Sequence, residues 1–210
     1  DNKPVYIIYL PQDIHCRQRM FKLWKRLAKE NGFDGIYLIA MNTGAGKDNV
    51  RRYYDAFMEF EPLCTIRGDR SWRRNLQDWK AAHIDEMNSG QCSVRNWLWS
   101  KNAFSYSYLC RCIEKKAHRS EPWILPGVFA GWDNSSRKDE EGIIVTGSTP
   151  QRFRDNLHKV LSIAEERKKE FVFLNAWNEW SEGAYIEPDK KYGWGYLRAV
   201  KQALRQRGDQ

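Results

Sequence analysis

The residues whose types and spacing admit chemistry lie together in one stretch, Asn175-Ala-Trp-Asn-Glu-Trp-Ser-Glu-Gly-Ala-Tyr-Ile-Glu-Pro188. Glu179 and Glu182 are three residues apart, so a helical turn here places both side chains on one face, with Cβ atoms about 5–6 Å apart. Two carboxyl groups roughly 5–5.5 Å apart divide the acid and the base or nucleophile work of glycosidic chemistry when their surroundings push their pKa values apart. Trp177 and Trp180 flank the pair, shaped to desolvate it and to stack on the apolar face of a pyranose ring. Asn175, Asn178, Tyr185 and Glu187 supply hydrogen-bonding groups around them. An isolated Glu-x-x-Glu is ordinarily a solvated helix face. It is the setting between tryptophans that makes this one a candidate site.

Position points the same way. Phe171 to Ala176 is a short apolar run with aromatic and β-branched members, which suits a strand buried on both faces. The polar cluster therefore falls just past the carboxyl end of a strand, where parallel α/β folds place their sites. A second cluster, Trp132, Asp133, Asn134 and Arg137, follows another expected strand, Trp123 to Phe129. Asp133 and Asn134 suit adjacent sugar hydroxyls, Trp132 offers a stacking face, and Arg137 can grip a carboxylate or phosphate with two hydrogen bonds. Alone, Asp-Asn is a turn signal; beside the first cluster it reads as a substrate-facing loop.

The stretch 175–188, followed by Lys191-Tyr-Gly-Trp-Gly-Tyr-Leu197, resembles the closing motif of the WbsX-type glycosyltransferase family, which is similar to the barrels of glycoside hydrolase family 99. Pro126-Gly-Val-Phe-Ala-Gly-Trp-Asp-Asn-Ser-Ser-Arg137 and Gly147-Ser-Thr-Pro150 resemble that family's penultimate strand, loop and helix start. Upstream, Tyr6 to Pro11, Gly32 to Gly35 and Phe60-Glu-Pro62 carry a thinner likeness. The resemblance implies a protein that makes or breaks a glycosidic bond in bacterial surface-polysaccharide metabolism. It implies Glu179 as base toward a sugar 2-hydroxyl and Glu182 as the acid at the leaving oxygen. The family label implies a transferase with an oligosaccharide or polysaccharide substrate and a nucleotide-sugar or lipid-linked donor. The glutamate pair is instead the equipment of a retaining hydrolase of the endo-mannosidase kind. Ala184-Tyr185 stands where those hydrolases have a polar pair, so the sugar is left open. A non-catalytic glycan-binding module, gripping sugar with the same aromatics and carboxylates, is the alternative outside enzymology.

The elements that must position these residues alternate between strand and helix, which indicates an α/β parallel barrel of the (β/α)8 type. Strands are expected at Val5 to Leu10, Gly35 to Ala40, Trp123 to Phe129 and Phe171 to Ala176. Helices are expected over about 17–31, 73–88, from Ser148 onward and over 195–205, with a short one from Arg51 to Phe57. Ser148 and Gln151 have capping-box spacing for the third of these. Asp13 and His15 fall at the end of the first strand, His83 reads as a packed helix residue, and Tyr106 and Tyr108 are further candidates for sugar contact.

At 210 residues, 41% hydrophobic and 30% charged, the chain is expected to form a single domain over 1–210. A whole barrel takes about 250 residues, so the reading is the later strands and helices of a barrel within a longer protein. The charge of +8 is scattered over helix faces without zinc-finger, RNA-recognition or phosphate-loop spacing, which argues against a specific nucleic-acid partner. Five cysteines, an odd number, point to reduced thiols in a cytoplasmic setting. The dispersed histidines and cysteines predict no metal and no cofactor, and no apolar run reaches the about 18 residues of a membrane span.

Overall fold

The computed structural model describes residues 2–44, 51–68 and 102–205. The helix expected over 73–88, with His83, lies outside them. Its centre is a parallel sheet of β1 (Val5–Ile8), β2 (Tyr37–Asn42) and β3 (Ala56–Glu59), continued by β5 (Ile124–Leu125). The register runs Ile7 to Ile39, Ala40 to Phe57 and Met58 to Leu125. Helix α1 (Arg17–Glu30) connects β1 to β2 and packs Phe21 against Ile8, Leu38 and Tyr54 on the outer side of the sheet.

The strand expected from Trp123 to Phe129 forms in two halves around Pro126, which has no N–H to give to a ladder. Its first half, β5, pairs with β3, while its second half, β6 (Gly127–Phe129), pairs with β9 (Phe173–Asn175). A Cβ on Gly127 would stand 2.0 Å from the Glu59 carbonyl oxygen, so only glycine allows β6 to pass β3 this closely. The parallel path thus reads β1, β2, β3, β5 then β6, β9, an arc of α/β barrel architecture. A smaller sheet joins β4 (Ala103–Ser105) in parallel to β8 (Ile144–Thr146), with β7 (Trp132–Asp133) antiparallel on the other side of β8.

Two sequence expectations change. The short helix expected from Arg51 to Phe57 is a single 3-10 turn at Arg51–Tyr53 followed by β3. The side chains decide it: Phe57 joins the cluster under α1, whereas Ala56 and Met58 pack with Ile39 and Leu125, an alternation with the period of a strand. The capping box at Ser148 also does not form. Helix α5 (Pro150–Glu166) is capped by Thr149, whose Oγ1 accepts from the Arg152 amide at 3.2 Å, while the Ser148 hydroxyl turns inward and donates to the Ala130 carbonyl.

The main core lies between this sheet and helices α3 (Tyr106–Arg119), α5 and α6 (Gly195–Arg205). Tyr106, Leu109 and Ile113 of α3 and Phe153 and Val160 of α5 close on Val128 and Phe129 of β6. Tyr106 is fully buried and gives its hydroxyl to the Phe129 carbonyl at 2.8 Å, so its role is to hold strand and helix together. Among the described residues no helix is long and apolar enough to cross a membrane.

A charged cluster sits at the end of β3. Lys116 of α3 places its Nζ 2.5 Å from Glu61 Oε1, 2.9 Å from Thr65 Oγ1 and 3.2 Å from Glu59 Oε1. Thr65 belongs to α2 (Leu63–Gly68), whose first turn donates to Glu61. Cys64 brings its sulfur within 3.5 Å of the same ammonium. Glu59, Glu61 and Cys64 converge closely enough to ligate a metal, but it is the Lys116 ammonium that fills the cation position. Burial pushes the Glu59 carboxyl up to about 7 from its ordinary 4.5, with Lys116 opposing and Glu61 reinforcing the rise. A carboxyl whose pKa is raised by folding binds its proton more tightly in the native state, so this group costs stability as pH rises from 4.5 to about 7. Glu59→Gln is therefore expected to be more stable than the parent by about 2–3 kcal/mol at pH 8 relative to pH 4.5. Urea midpoints of both proteins at the two pH values check it, and an unchanged difference between them contradicts it.

Candidate active site

Strand β9 delivers the first motif. It ends at Asn175, buried, whose Nδ2 donates to the Glu61 carbonyl at 2.8 Å and so ties the motif to the end of β3. Past Ala176 the chain forms a tight antiparallel hairpin, β10 (Asn178–Glu179) against β11 (Ala184–Tyr185). Trp180–Glu182 makes the 3-10 turn at its tip. The helical turn expected from the spacing of Glu179 and Glu182 is thus a hairpin tip, which still brings both carboxyls to one place. Gly183 closes the tip with φ 60°, and a Cβ there would stand 2.9 Å from the Asp133 amide nitrogen. Both the left-handed backbone and the close approach require glycine.

Glu179 and Glu182 line one cleft of about 460 Å³. Arg137, Asn175 and Glu59 line it as well, and Tyr9, Met41, Met58 and Phe60 are among the apolar residues of its wall. The Arg137 guanidinium meets Glu182 Oε1 at 2.9 Å and reaches Ser181 Oγ at 3.5 Å. Burial raises the Glu182 pKa above the usual carboxylate range, Arg137 opposes the rise and the Glu179 charge adds to it. Two neighbouring carboxyls thus stand in different surroundings, the condition for dividing acid from base work.

Trp180 and Tyr185 are not among the residues that line the cleft, and they brace each other. Trp180 stacks on Tyr185 with ring centroids 3.7 Å apart and planes 18° from parallel. Its Nε1 donates to Glu187 Oε2 at 2.6 Å, and the Tyr185 hydroxyl contacts Asp189 Oδ2 at 3.2 Å. Trp180 is 49% exposed and Trp177 53% exposed, so the brace fixes Trp180 while leaving indole surface open to solvent. Asn178 is exposed on β10.

In the second motif Arg137 lines the cleft and the other three residues build its support. Trp132 is 2% exposed and packs edge-on against Phe60, ring centroids 6.3 Å apart. Asp133 Oδ1 accepts from the Ser135 amide at 3.0 Å and from its hydroxyl at 2.6 Å, fixing the start of α4 (Ser135–Lys138). Asn134 is buried and its Oδ1 accepts from the Ile143 amide at 2.7 Å. Tyr9 is a cleft residue that the sequence reading passed over, although it stands one position past β1 and is 57% exposed. Its position just past a strand end was the available signal, beside polar residues beyond Pro11 with more evident chemistry. His15 lies instead in a separate depression beside Cys16, Arg17 and Tyr53.

Comparison with known proteins shows what the chain is similar to. The profile of the family described as "Glycosyltransferase WbsX" matches residues 1–200. Two curated proteins named "Uncharacterized protein WxcX", from Xanthomonas campestris pv. campestris strains B100 and ATCC 33913, are each 28% identical over 208 residues. The alignment takes in 97% of this chain and 27% of theirs, so the chain spans about a quarter of their length. A solved "Glycoside hydrolase-like protein" superposes with a TM-score of 0.53 at 16% identity, over 97% of this chain and 54% of that one.

Proposed function

This chain belongs to the WbsX glycosyltransferase family, and from that premise we propose that its cleft makes or breaks a glycosidic bond with Glu179 and Glu182. The observation that carries the reading is the convergence of these two carboxyls in one cleft, in unequal surroundings. Glu182, with its raised pKa, is the acid. Glu179, exposed at the end of β10, is the base.

On the chemistry that the resemblance to family 99 implies, Glu179 takes the proton of the sugar 2-hydroxyl as O2 attacks C1. The C1 bond to the leaving oxygen breaks, and that oxygen takes the proton of Glu182. The anhydro-sugar is then opened at C1 by water or by an acceptor hydroxyl, which gives its proton to the Glu182 carboxylate while O2 regains one from Glu179. Water as acceptor is hydrolysis and a sugar hydroxyl is transfer, so one site serves both family descriptions. Trp177, Trp180, Asn178 and Arg137 supply contact surface for an oligosaccharide or polysaccharide. A nucleotide-sugar or lipid-linked donor is the form that transfer would use. The resemblance to the WbsX family supports a role in surface-polysaccharide metabolism, and the reading of the cysteines as reduced thiols supports the cytoplasmic side.

Product analysis by mass spectrometry tests the reading. The chain, and a protein extended to the length of its relatives, are incubated with mannose-containing oligosaccharides and a panel of nucleotide sugars. Released sugars establish hydrolysis and lengthened glycans establish transfer. Glycan binding without any product from either protein would instead make this a binding module, the reading favoured by the exposed indoles of Trp177 and Trp180.

A further inference from the structure

The two motifs meet at one contact. Gly183 packs against the Asp133 backbone, and one helical turn further on Arg137 reaches Glu182 at 2.9 Å. Three hydrogen-bonding residues shape the loop that leads there. Asp133 holds Ser135 through both amide and hydroxyl, Asn134 holds the returning strand through Ile143, and the Asn134 carbonyl accepts from the Arg137 amide at 3.0 Å. A loop shaped this closely by its own side chains fixes where its arginine stands.

We propose that Arg137 is the positioning residue of Glu182: the mount built by Asp133 and Asn134 delivers its guanidinium to Oε1, orients the acid, and stabilises it as a carboxylate midway through turnover. The role rests on the reading of Glu182 as acid. In the first half-reaction the Glu182 proton leaves with the departing oxygen, and the carboxylate that remains must persist until water or an acceptor supplies a new proton. A guanidinium at hydrogen-bond distance favours that charged stage. Because Arg137 is 51% exposed and Glu182 20% exposed, the pair is screened by solvent, and its effect is correspondingly modest.

The test is a titration that needs no substrate. Side-chain carboxyl signals of ¹³C-labelled protein are followed against pH, with the Glu182 signal assigned by its loss in Glu182→Gln. Arg137→Ala is expected to move the Glu182 midpoint up, and Arg137→Lys to return part of that rise. Asn134→Ala, which loosens the mount without touching Glu182, is expected to move the midpoint in the same direction by less. An unmoved midpoint in Arg137→Ala overturns the proposal. On any substrate turned over, the alkaline limb of the pH profile shifts with the midpoint and kcat falls more than KM changes. Full turnover in Glu182→Gln would sink the catalytic reading itself, a failure that the titration registers separately.

Discussion

Turnover by the Glu182→Gln protein is expected to fall by about 10²–10⁴-fold, the usual contribution of a positioned acid, while folding is unaffected. Glutamine keeps the shape of the side chain and an oxygen for Arg137, but it has no proton to give. The loss should therefore depend on the leaving group. A substrate that departs as an aryloxide of low basicity needs little protonation, and its cleavage by Glu182→Gln should recover toward the parent rate. Glu179→Gln should lose turnover on both kinds of substrate, because activation of the 2-hydroxyl is needed whichever group departs. Rates measured on a natural glycan and on an aryl glycoside separate the two roles. If both variants respond alike to the leaving group, the assignment of acid and base is wrong.

The second large effect concerns stability. Lys116→Met should destabilise the protein by about 3–5 kcal/mol, the cost of stripping a buried charge of its partner. Glu61 is wholly inaccessible and Glu59 is 5% exposed, so without the ammonium two largely buried carboxyls are left beside each other with no cation between them. Oε2 of Glu59 already has no hydrogen-bond partner. Urea denaturation at neutral pH measures the loss as a shift of midpoint at constant slope. The triple variant Lys116→Met, Glu59→Gln, Glu61→Gln should regain much of it, since the penalty lies in the uncompensated charge rather than in the lysine. A loss under about 1 kcal/mol in the single variant would show that water or a neighbouring cation replaces the ammonium.

The two predictions differ in how visible their residues were beforehand. Glu179 and Glu182 announce themselves because everything that marks them, the apolar run before and the tryptophans around, is local in the chain. The geometry of their turn was less legible. Spacing of three fits a helix, and only the pairing of Asn178 with Tyr185 and the left-handed Gly183 show that the segment folds back as a hairpin. Trp132 illustrates a different limit. An aromatic beside polar residues reads as an exposed stacking surface, yet its pairing through β7 with Val145 turns it toward Phe60 and the core. Likewise Asp133 and Asn134 have the right chemistry for sugar hydroxyls, but their own loop claims it. The Lys116 cluster left no sequence signal, because its partners are 55 residues apart and no periodicity connects them.

The first strand has a consequence for how this polypeptide behaves in a test tube. Among the described strands β1 pairs with β2 alone, and Val5, Tyr6 and Ile7 are 46, 52 and 40% exposed. An edge strand that no described strand covers, with exposed apolar side chains along it, is a template for another strand. Dilution, rather than added salt, is then the remedy for cloudiness in a concentrated sample, because the attraction is hydrogen bonding and water exclusion instead of charge. A lysine introduced at Tyr6 would serve the same end by making the edge repel its own copy.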